Sequence, residues 1–144
     1  MHNNDVIHRD IKPENLILGC DNKLKLADFG WAVKNNDKKR TTFCGTLEYL
    51  SPEMLNNQVH DHNIDVWCLG ILTYEFLTGK PPFDIKPRSL REAKRKIINC
   101  DLTKPDDMST ISFNFIESLV VNEKDKRICL KKALKQPFIV KYNK

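Results

Sequence analysis

The sequence predicts a mainly α-helical fold with one small β-hairpin. Two short apolar runs, at residues 16–18 and 24–26, flank a turn and are typical of paired strands. A stretch without hydrophobic periodicity then covers residues 28–53, and beyond it the apolar residues recur at helical spacing. The chain therefore runs as a hairpin, a long loop and then helices only, and its 144 residues suit a single domain.

The hairpin is predicted from a Gly-Cys-Asp-Asn turn at residues 19–22, a combination that favours tight turns. The alternation of apolar and polar residues at 24–26 predicts a strand that is buried on one face. The two ends of a hairpin lie side by side. Asn15, just before it, and Asp28, just after it, are therefore expected to approach each other.

The strongest helix is predicted over residues 63–78, where apolar side chains cover almost every side and indicate a buried helix. Gly79 ends it, and the prolines that follow prevent its continuation. Asp65 lies in its first turn, where a carboxylate can cap N–H groups of its own helix or of a neighbouring loop. Three further helices are expected. The first is a basic helix that opens with the capping-box pattern Ser89-x-x-Glu92 and runs to about residue 98. The second covers residues 109–121, and the third is a short helix at residues 130–134 that Pro137-Phe138 close.

Composition and charge exclude several classes of protein. The chain is 40% apolar and 30% charged, which indicates a folded domain rather than a disordered one. It has no apolar run long enough to span a bilayer and no signal peptide, so we expect no membrane partner and an intracellular location. The net charge of +5 is mild and no recognition motif accompanies it, so no nucleic-acid partner is predicted. The five cysteines include no C-x-x-C pair, which favours reduced thiols.

The functional hypothesis rests on three phrases that follow one another in order. The first, His8-Arg9-Asp10-Ile11-Lys12-Pro13-Glu14-Asn15, fits H-R-D-x-x-x-x-N, the catalytic-loop pattern of a protein kinase. The other two are Asp28-Phe29-Gly30 and Ser51-Pro52-Glu53. Any one of these phrases alone is more often a solvated surface turn. Three in this order, at loop-sized spacing, favour phosphoryl transfer.

The residue types suit that chemistry, which depends on positioning and on charge neutralisation. Asp10 can accept the proton of an attacking hydroxyl, and Lys12 can reach the transferred phosphate. Asn15 offers an amide oxygen and Asp28 a carboxylate, the kind of ligand that Mg²⁺ prefers. We therefore predict ATP and Mg²⁺ as cofactors, with Asn15 and Asp28 as the metal ligands.

A basic run, Lys38-Lys39-Arg40, leads into Thr41 and Thr42 in the long loop. Phosphate on Thr42 would place about two negative charges among these cations, which would make an ordering switch. A solvated polar loop explains the composition almost equally well. Both interpretations stay open at this point.

The chain resembles the C-terminal lobe of a eukaryotic-type Ser/Thr protein kinase over about residues 6–139, and within that class it is most similar to the Aurora kinases. Lys12, two residues after Asp10, is typical of the serine/threonine class. The phrases that carry the Aurora resemblance are Ala27-Asp28-Phe29-Gly30-Trp31, Arg40-Thr41-Thr42-Phe43-Cys44-Gly45-Thr46-Leu47-Glu48-Tyr49-Leu50, Tyr74-Glu75-Phe76-Leu77 and Gly79-Lys80-Pro81-Pro82-Phe83.

The resemblance implies an activity. The protein would transfer the ATP γ-phosphate to protein Ser or Thr, with Asp10 as catalytic base, Lys12 beside the phosphate and Thr46 hydrogen-bonded near both. Glu14 would lie near the nucleotide ribose. Substrates would carry basic residues around the target Ser or Thr, and an activating protein partner is expected. The protein would act in mitosis, in the nucleus, on the spindle or in the cytoplasm.

The resemblance also implies a switch and its supports. Thr42 would be the activating phosphosite, with Arg9 and Arg40 as its cationic partners. A buried ion pair would anchor the loop, and a helix carboxylate would hold the catalytic-loop backbone. The residues implied in these two supporting roles are Glu53 and Arg127 for the ion pair and Asp65 for the carboxylate.

Several features depart from the resemblance. The sequence has no glycine-rich G-x-G-x-x-G loop and no V-A-I-K lysine. We therefore expect the β-rich N-terminal lobe to be absent and residues 1–144 to form a partial kinase domain of catalytic loop, activation segment and following helices. Lys124 and Ile128 stand where the family carries prolines, which predicts a looser turn around Arg127. The alternatives to an active kinase are a catalytically inactive remnant lobe that serves as a protein-binding module, or a non-functional gene fragment.

Overall fold

The computed structural model describes residues 1–34, 46–83 and 90–142. Over these ranges no helix combines the length and the apolar character that crossing a membrane requires. Short 3₁₀ turns lie at His2–Asn4, Pro13–Asn15, Leu47–Tyr49 and Lys124–Lys126. The strands are β1 (Val6–Ile7), β2 (Leu16–Leu18), β3 (Leu24–Leu26) and β4 (Val33–Lys34). The α-helices are α1 (Pro52–Leu55), α2 (Asn63–Thr78), α3 (Leu90–Asn99), α4 (Thr110–Leu119), α5 (Leu130–Ala133) and α6 (Pro137–Tyr142).

The strands in the described part of the chain form two antiparallel pairs. In the hairpin, β2 pairs with β3 and Leu16 faces Leu26. Separately, β1 pairs with β4 and Ile7 faces Val33. Residues 8–15 run from β1 to β2, so a strand pair fixes each end of this segment.

The hairpin is more exposed than its alternation predicts. Ile17, Leu18 and Leu24 are 54%, 65% and 62% exposed, whereas Leu16 and Leu26 are half-buried. Leu16 packs against the main core, and three-residue strands are too short to bury a whole face. The prediction of a half-buried strand is therefore wrong for the residues beyond the pair of Leu16 and Leu26. The apolar side chains of those residues remain on the surface.

Helix α2 is the centre of the core. Ile64, Trp67 and Ile71 are completely buried, as the apolar residues on almost every side of this helix predict. At Gly70 an added Cβ would lie 2.5 Å from Val120 Cγ2, so any larger residue would push the segment after α4 away. The helix ends at Gly79, whose φ of 79° is left-handed. The close packing of α2 also holds its first turn in place.

The chain differs from the predicted elements at several points. The long loop contains β4 and the short helix α1, both too short to show periodicity. Pro137 begins helix α6 and does not close a helix, because a proline in the first turn gives up an N–H that has no helical partner there. Ser109 caps α4 by accepting from Ser112 N–H at 3.1 Å, close to the predicted start. Ser89 lies outside the described residues, so its capping role stays a prediction.

Candidate active site

The structure gathers three of the predicted side chains around the carboxylate of Asp10. Lys12 Nζ lies 2.9 Å from Asp10 Oδ2 and donates to Thr46 Oγ1 at 2.8 Å. The Thr46 hydroxyl makes a long contact of 3.5 Å with Asp10 Oδ1. Asn15 Nδ2 donates to the Asp10 carbonyl at 2.6 Å and to Oδ2 at 3.0 Å. Asp10, which is 5% exposed, therefore has a cation and an amide on one oxygen and a hydroxyl near the other.

The backbone of the candidate catalytic loop is held by Asp65, in the first turn of α2. Its Oδ2 accepts from His8 N–H and its Oδ1 from Arg9 N–H, each at 2.9 Å. Arg9 has a φ of 71°, a left-handed conformation that costs a non-glycine residue about 1–3 kcal/mol. Hydrogen bonds to a charged group contribute about 1.5–3 kcal/mol each, which is enough to offset this strain.

His8 connects the loop to the segment after the hairpin. Its Nδ1 accepts from Asp10 N–H at 3.3 Å, so the proton must be on Nε2, which donates to the Ala27 carbonyl at 2.9 Å. Its ring also lies edge-on to Phe29, with the ring centroids 4.8 Å apart. This completely buried histidine belongs to the motif, but sequence reasoning gave it no role of its own.

The backbone on each side of Asp28 is hydrogen-bonded to the candidate catalytic loop. On one side is the bond from His8 to the Ala27 carbonyl. On the other, Arg9 Nε donates to the Trp31 carbonyl at 2.6 Å. Asp28 has a φ of 56°, and one of its carboxylate oxygens accepts from an N–H two residues on, at 3.1 Å.

Asn15 and Asp28 each have a side-chain oxygen that makes no hydrogen bond to another described residue. Within the part of the chain that the structure describes, the Asn15 side chain makes two hydrogen bonds, both from Nδ2, so Oδ1 is left as an acceptor. The Ala27 N–H donates to the Asn15 carbonyl at 2.8 Å, which brings Asn15 and Asp28, the residue after Ala27, to one end of the hairpin. Two oxygens suit Mg²⁺, which keeps several waters and takes further ligands from phosphates. The described residues include no group of three or more His, Cys, Asp or Glu that could hold an ion unaided. This donor set therefore fits a metal–nucleotide complex better than a caged ion.

Thr46 is positioned by the 3₁₀ turn that follows it. Tyr49, in this turn, is buried and donates its hydroxyl to the Glu75 carboxylate on α2. Burial, together with the hydrogen bond to Glu75, raises the pKa of the Tyr49 phenol well above its usual range, so it remains a donor. The turn is thereby fixed to the central helix.

Glu53 and Arg127 form a two-pronged ion pair. Arg127 Nη1 and Nη2 lie 2.7 Å from the two Glu53 oxygens, and the side chains are 0% and 5% exposed for Arg127 and Glu53 respectively. Nearby, Lys124 Nζ lies 2.7 Å from Asp61 Oδ2, while the looser turn around Arg127 stays a prediction. Burial raises the pKa of Asp61, but the hydrogen bonds from Lys124 and from Asn63 N–H, together with the nearby positive charges, outweigh this effect and the net shift is downward.

Part of the predicted switch lies outside the described residues, namely Arg40, Thr41 and Thr42. Its activation by phosphate stays a prediction. Glu14 is exposed in the turn Pro13–Asn15, and its role at a ribose also stays a prediction.

His2 is a site neighbour that sequence reasoning missed altogether. Its Nε2 lies 2.7 Å from Asp65 Oδ2. These residues are 63 positions apart, and no local pattern links them. Only the tertiary structure brings them together.

Comparison with known proteins agrees with this geometry. The profile of the protein kinase domain matches residues 1–139. The chain belongs to the protein kinase family. This kinase chain is 60% identical over 139 residues to an Aurora kinase of Encephalitozoon cuniculi, 46% over 140 residues to Aurora kinase A-B of Xenopus laevis, and 45% over 142 residues to an Aurora kinase of Schizosaccharomyces pombe. These alignments cover 96%, 97% and 99% of the chain but only 51%, 34% and 40% of the relatives, so the chain spans about half their length or less.

The family confirms the kinase-like fold and the resemblance to Aurora kinases that the motifs predicted. Protein kinases in general use ATP and Mg²⁺ and act on protein substrates, which agrees with the predicted cofactors and partners. The division into lobes, the extent of the domain and the role of each site residue stay predictions for this kinase chain.

Proposed function

We propose that the chain carries the phosphoryl-transfer centre of an Aurora-like Ser/Thr protein kinase. The observation that carries this proposal is the network of Asp10, Lys12, Asn15 and Thr46, with Asp28 tied to the same loop. The pair of the buried Asp10 with Lys12, whose side chain is 21% exposed, costs desolvation energy that apolar residues would not cost, so folding alone gives no reason for it. An inactive lobe that only binds partners has no need of this network either.

Asp10 is the base in this proposal. Its Oδ2 contacts Lys12 and Asn15, whereas among the described residues its Oδ1 has only the long contact with Thr46. We therefore assign Oδ1 as the oxygen that accepts a proton from a substrate hydroxyl. The Lys12 ammonium group, bonded to the Thr46 hydroxyl, would stabilise the negative charge that develops on the transferred phosphate.

The nucleotide would lie over the hairpin. Asn15 Oδ1 and the Asp28 carboxylate would hold Mg²⁺, which supplies neutralisation of the phosphate charge. The apolar side chain of Ile17, two residues after Asn15, is exposed and offers a contact for a nucleotide base. Glu14 would lie near the ribose.

The similarity to proteins named Aurora kinase supports the finer parts of the proposal. The protein acceptor would be a Ser or Thr with basic residues around it, and the work would be done in mitosis, in the nucleus, on the spindle or in the cytoplasm. An activating protein partner is part of the same proposal. Residues 1–144 would supply the catalytic loop, the activation segment and the helices beneath them.

The test is an exchange of segments. The aligned 139-residue segment of the E. cuniculi Aurora kinase is replaced by this chain, and phosphate transfer from labelled ATP to a basic serine peptide is measured. We expect the chimera to be active and Asp10→Asn to lower kcat about 100-fold or more, because the base is lost. Asp5→Asn, an exposed acid in the same segment, should have no effect. A folded chimera without activity, or one indifferent to Asp10→Asn, would contradict the proposal.

A further inference from the structure

Helix α3 has a positively charged face that the proposed chemistry does not use. Arg91 and Arg95 are exposed on this face, and Lys94 and Ile98 are half-buried at its edge. The spacing of three and four residues places these side chains on one side of the helix. We propose that this side, which we call the α3 cationic face, docks an acidic segment of a partner protein. The inference goes beyond the proposed function and does not rest on it.

The opposite side of α3 fixes the helix to the rest of the protein. Ala93 and Ile97 are 1% and 0% exposed, and Ile97 belongs to the main core. The helix packs there against α1. The core therefore uses the apolar side of α3 and leaves the cationic face toward solvent.

Helix stability gives no reason for these cations. Arg91 lies in the first turn of α3, where the helix dipole disfavours positive charge. Arg95 follows one turn later, and like charges at this spacing destabilise a helix. The single acid of this helix, Glu92, pairs instead with Lys96 at 3.8 Å. Among the described residues, no carboxylate is paired with the three cations of the face, so they are available to an anion from outside.

The chemistry of the face favours carboxylates as that anion. The planar fork of an arginine binds the two oxygens of a carboxylate at once. Side chains one turn apart on a helix lie about 5–6 Å from each other at Cβ, so a segment with acids at similar spacing can contact Arg91 and Arg95 together. Ile98 adds an apolar contact next to them.

Two other anionic partners fit the face less well. From Arg91 to Arg95 the helix rises only about 6 Å, whereas a nucleic-acid surface needs a longer basic stripe or a recognition motif. A helix that lies on a membrane buries a whole apolar side in the lipid, but the apolar side of α3 is already buried in the core.

The test measures binding of a short fluorescein-labelled peptide, rich in Glu and Asp with one Leu, to the full 144-residue chain by fluorescence anisotropy. A peptide with Gln and Asn in place of the acids is the matched probe. At physiological ionic strength, where charges more than about 8 Å apart are screened, we expect the acidic peptide to bind and the amide peptide not to bind. The double variant Arg91→Gln with Arg95→Gln should weaken binding about tenfold, because two ion pairs are lost.

A second double variant separates this face from the net charge of the chain. Lys132 and Lys135 are also exposed cations, but they lie on and just after α5. Lys132→Gln with Lys135→Gln removes the same charge and should change the affinity by no more than about twofold. In the wild type, the NMR amide signals of residues 91–98 should shift on addition of the acidic peptide, and those of residues 130–135 should not.

Urea unfolding gives a test that needs no ligand. The double variant of Arg91 and Arg95 should be at least as stable as the wild type, because repulsion between the two cations is removed. A clear loss of stability would show that the two arginines serve the fold, and it would overturn the inference.

Three binding results would also overturn it. The first is no binding of the acidic peptide, and the second is equal weakening in the two double variants, which would show an effect of net charge alone. The third is a single-stranded DNA of equal charge that binds more tightly than the peptide and is lost in the variant of Arg91 and Arg95, which would make the face a nucleic-acid surface. None of these measurements requires nucleotide or turnover, so an inactive chimera with the E. cuniculi kinase would refute the proposed function and leave this inference standing.

Discussion

Replacement of Arg127 by methionine should destabilise the chain by about 3–5 kcal/mol, the usual cost of removing one partner of a buried ion pair. The reason is that Arg127 Nη1 and Nη2 each lie 2.7 Å from an oxygen of the Glu53 carboxylate, and this ion pair is almost completely buried. The guanidinium carbon also lies 5.1 Å from the Trp67 ring centroid. Methionine keeps apolar bulk near this ring, so the loss reports mainly the charge and its hydrogen bonds.

The two partners should not cost the same. Arg127 also donates to the carbonyls of Val121 at 2.8 Å and Asn63 at 2.9 Å. In Glu53→Gln the guanidinium keeps these acceptors and has one amide oxygen in place of the two carboxylate oxygens. Arg127→Met instead leaves the Glu53 charge and the carbonyls of Val121, Asn63 and Asn122 without this donor. We therefore expect Glu53→Gln to cost less than Arg127→Met by about 1–2 kcal/mol.

Urea unfolding followed by tryptophan fluorescence measures both values, provided that the slope with denaturant stays constant. The matched control is Lys126→Met. Lys126 pairs with Glu123 at the same 2.7 Å, but these side chains are 66% and 65% exposed, so no measurable change is expected. Wild-type stability in Arg127→Met, or an equal loss in Lys126→Met, would refute the reasoning.

Three other predictions follow. Burial lowers the pKa of His60 below 6.5, so as the pH falls the unfolded chain takes up this proton before the folded chain does. The free energy of unfolding should therefore fall from about pH 6.5 down to the lowered pKa. If this dependence of stability on pH is unchanged in His60→Leu, the prediction is contradicted. A double-mutant cycle with Lys124→Met and Asp61→Asn should give a coupling of about 1 kcal/mol or less but above zero, since the pair is half-buried. In the active chimera, Thr42→Ala should lower activity strongly and Thr41→Ala should matter less; equal activity of Thr42→Ala and the wild type would count against the switch.

The sequence predicts those parts of the fold that leave a local signal. Helix α2 runs over residues 63–78, as predicted, because its apolar residues and the stop at Gly79 are all local. The pairing of β1 with β4 was not predicted, since two-residue strands show no period and their partners are distant in sequence. The start of α6 at Pro137 was misjudged because a proline can either end a helix or begin one.

The same division applies to the site. Motif spacing pointed to Asp10, Lys12 and Asn15, which the structure brings into one network. The resemblance implied that Asp65 holds the loop backbone, but the further contact of His2 with Asp65 could not be predicted. His2 meets Asp65 only through the packing of the N-terminal turn on α2, and a contact across 63 residues leaves no periodic trace. Long-range polar contacts of this kind depend on the finished core.

The central claim is that Asn15 and Asp28 bind one divalent cation together with a nucleotide. Mn²⁺ can replace Mg²⁺ and broadens the NMR signals of nearby nuclei, so the labelled chain is titrated with Mn²⁺ and a non-hydrolysable ATP analogue. We predict that the Asn15 side-chain amide and the Gly30 backbone amide broaden together, and that Asp28→Asn abolishes both effects. Broadening confined to exposed carboxylates such as Asp101, or an Asn15 signal that broadens equally in Asp28→Asn, would contradict the account.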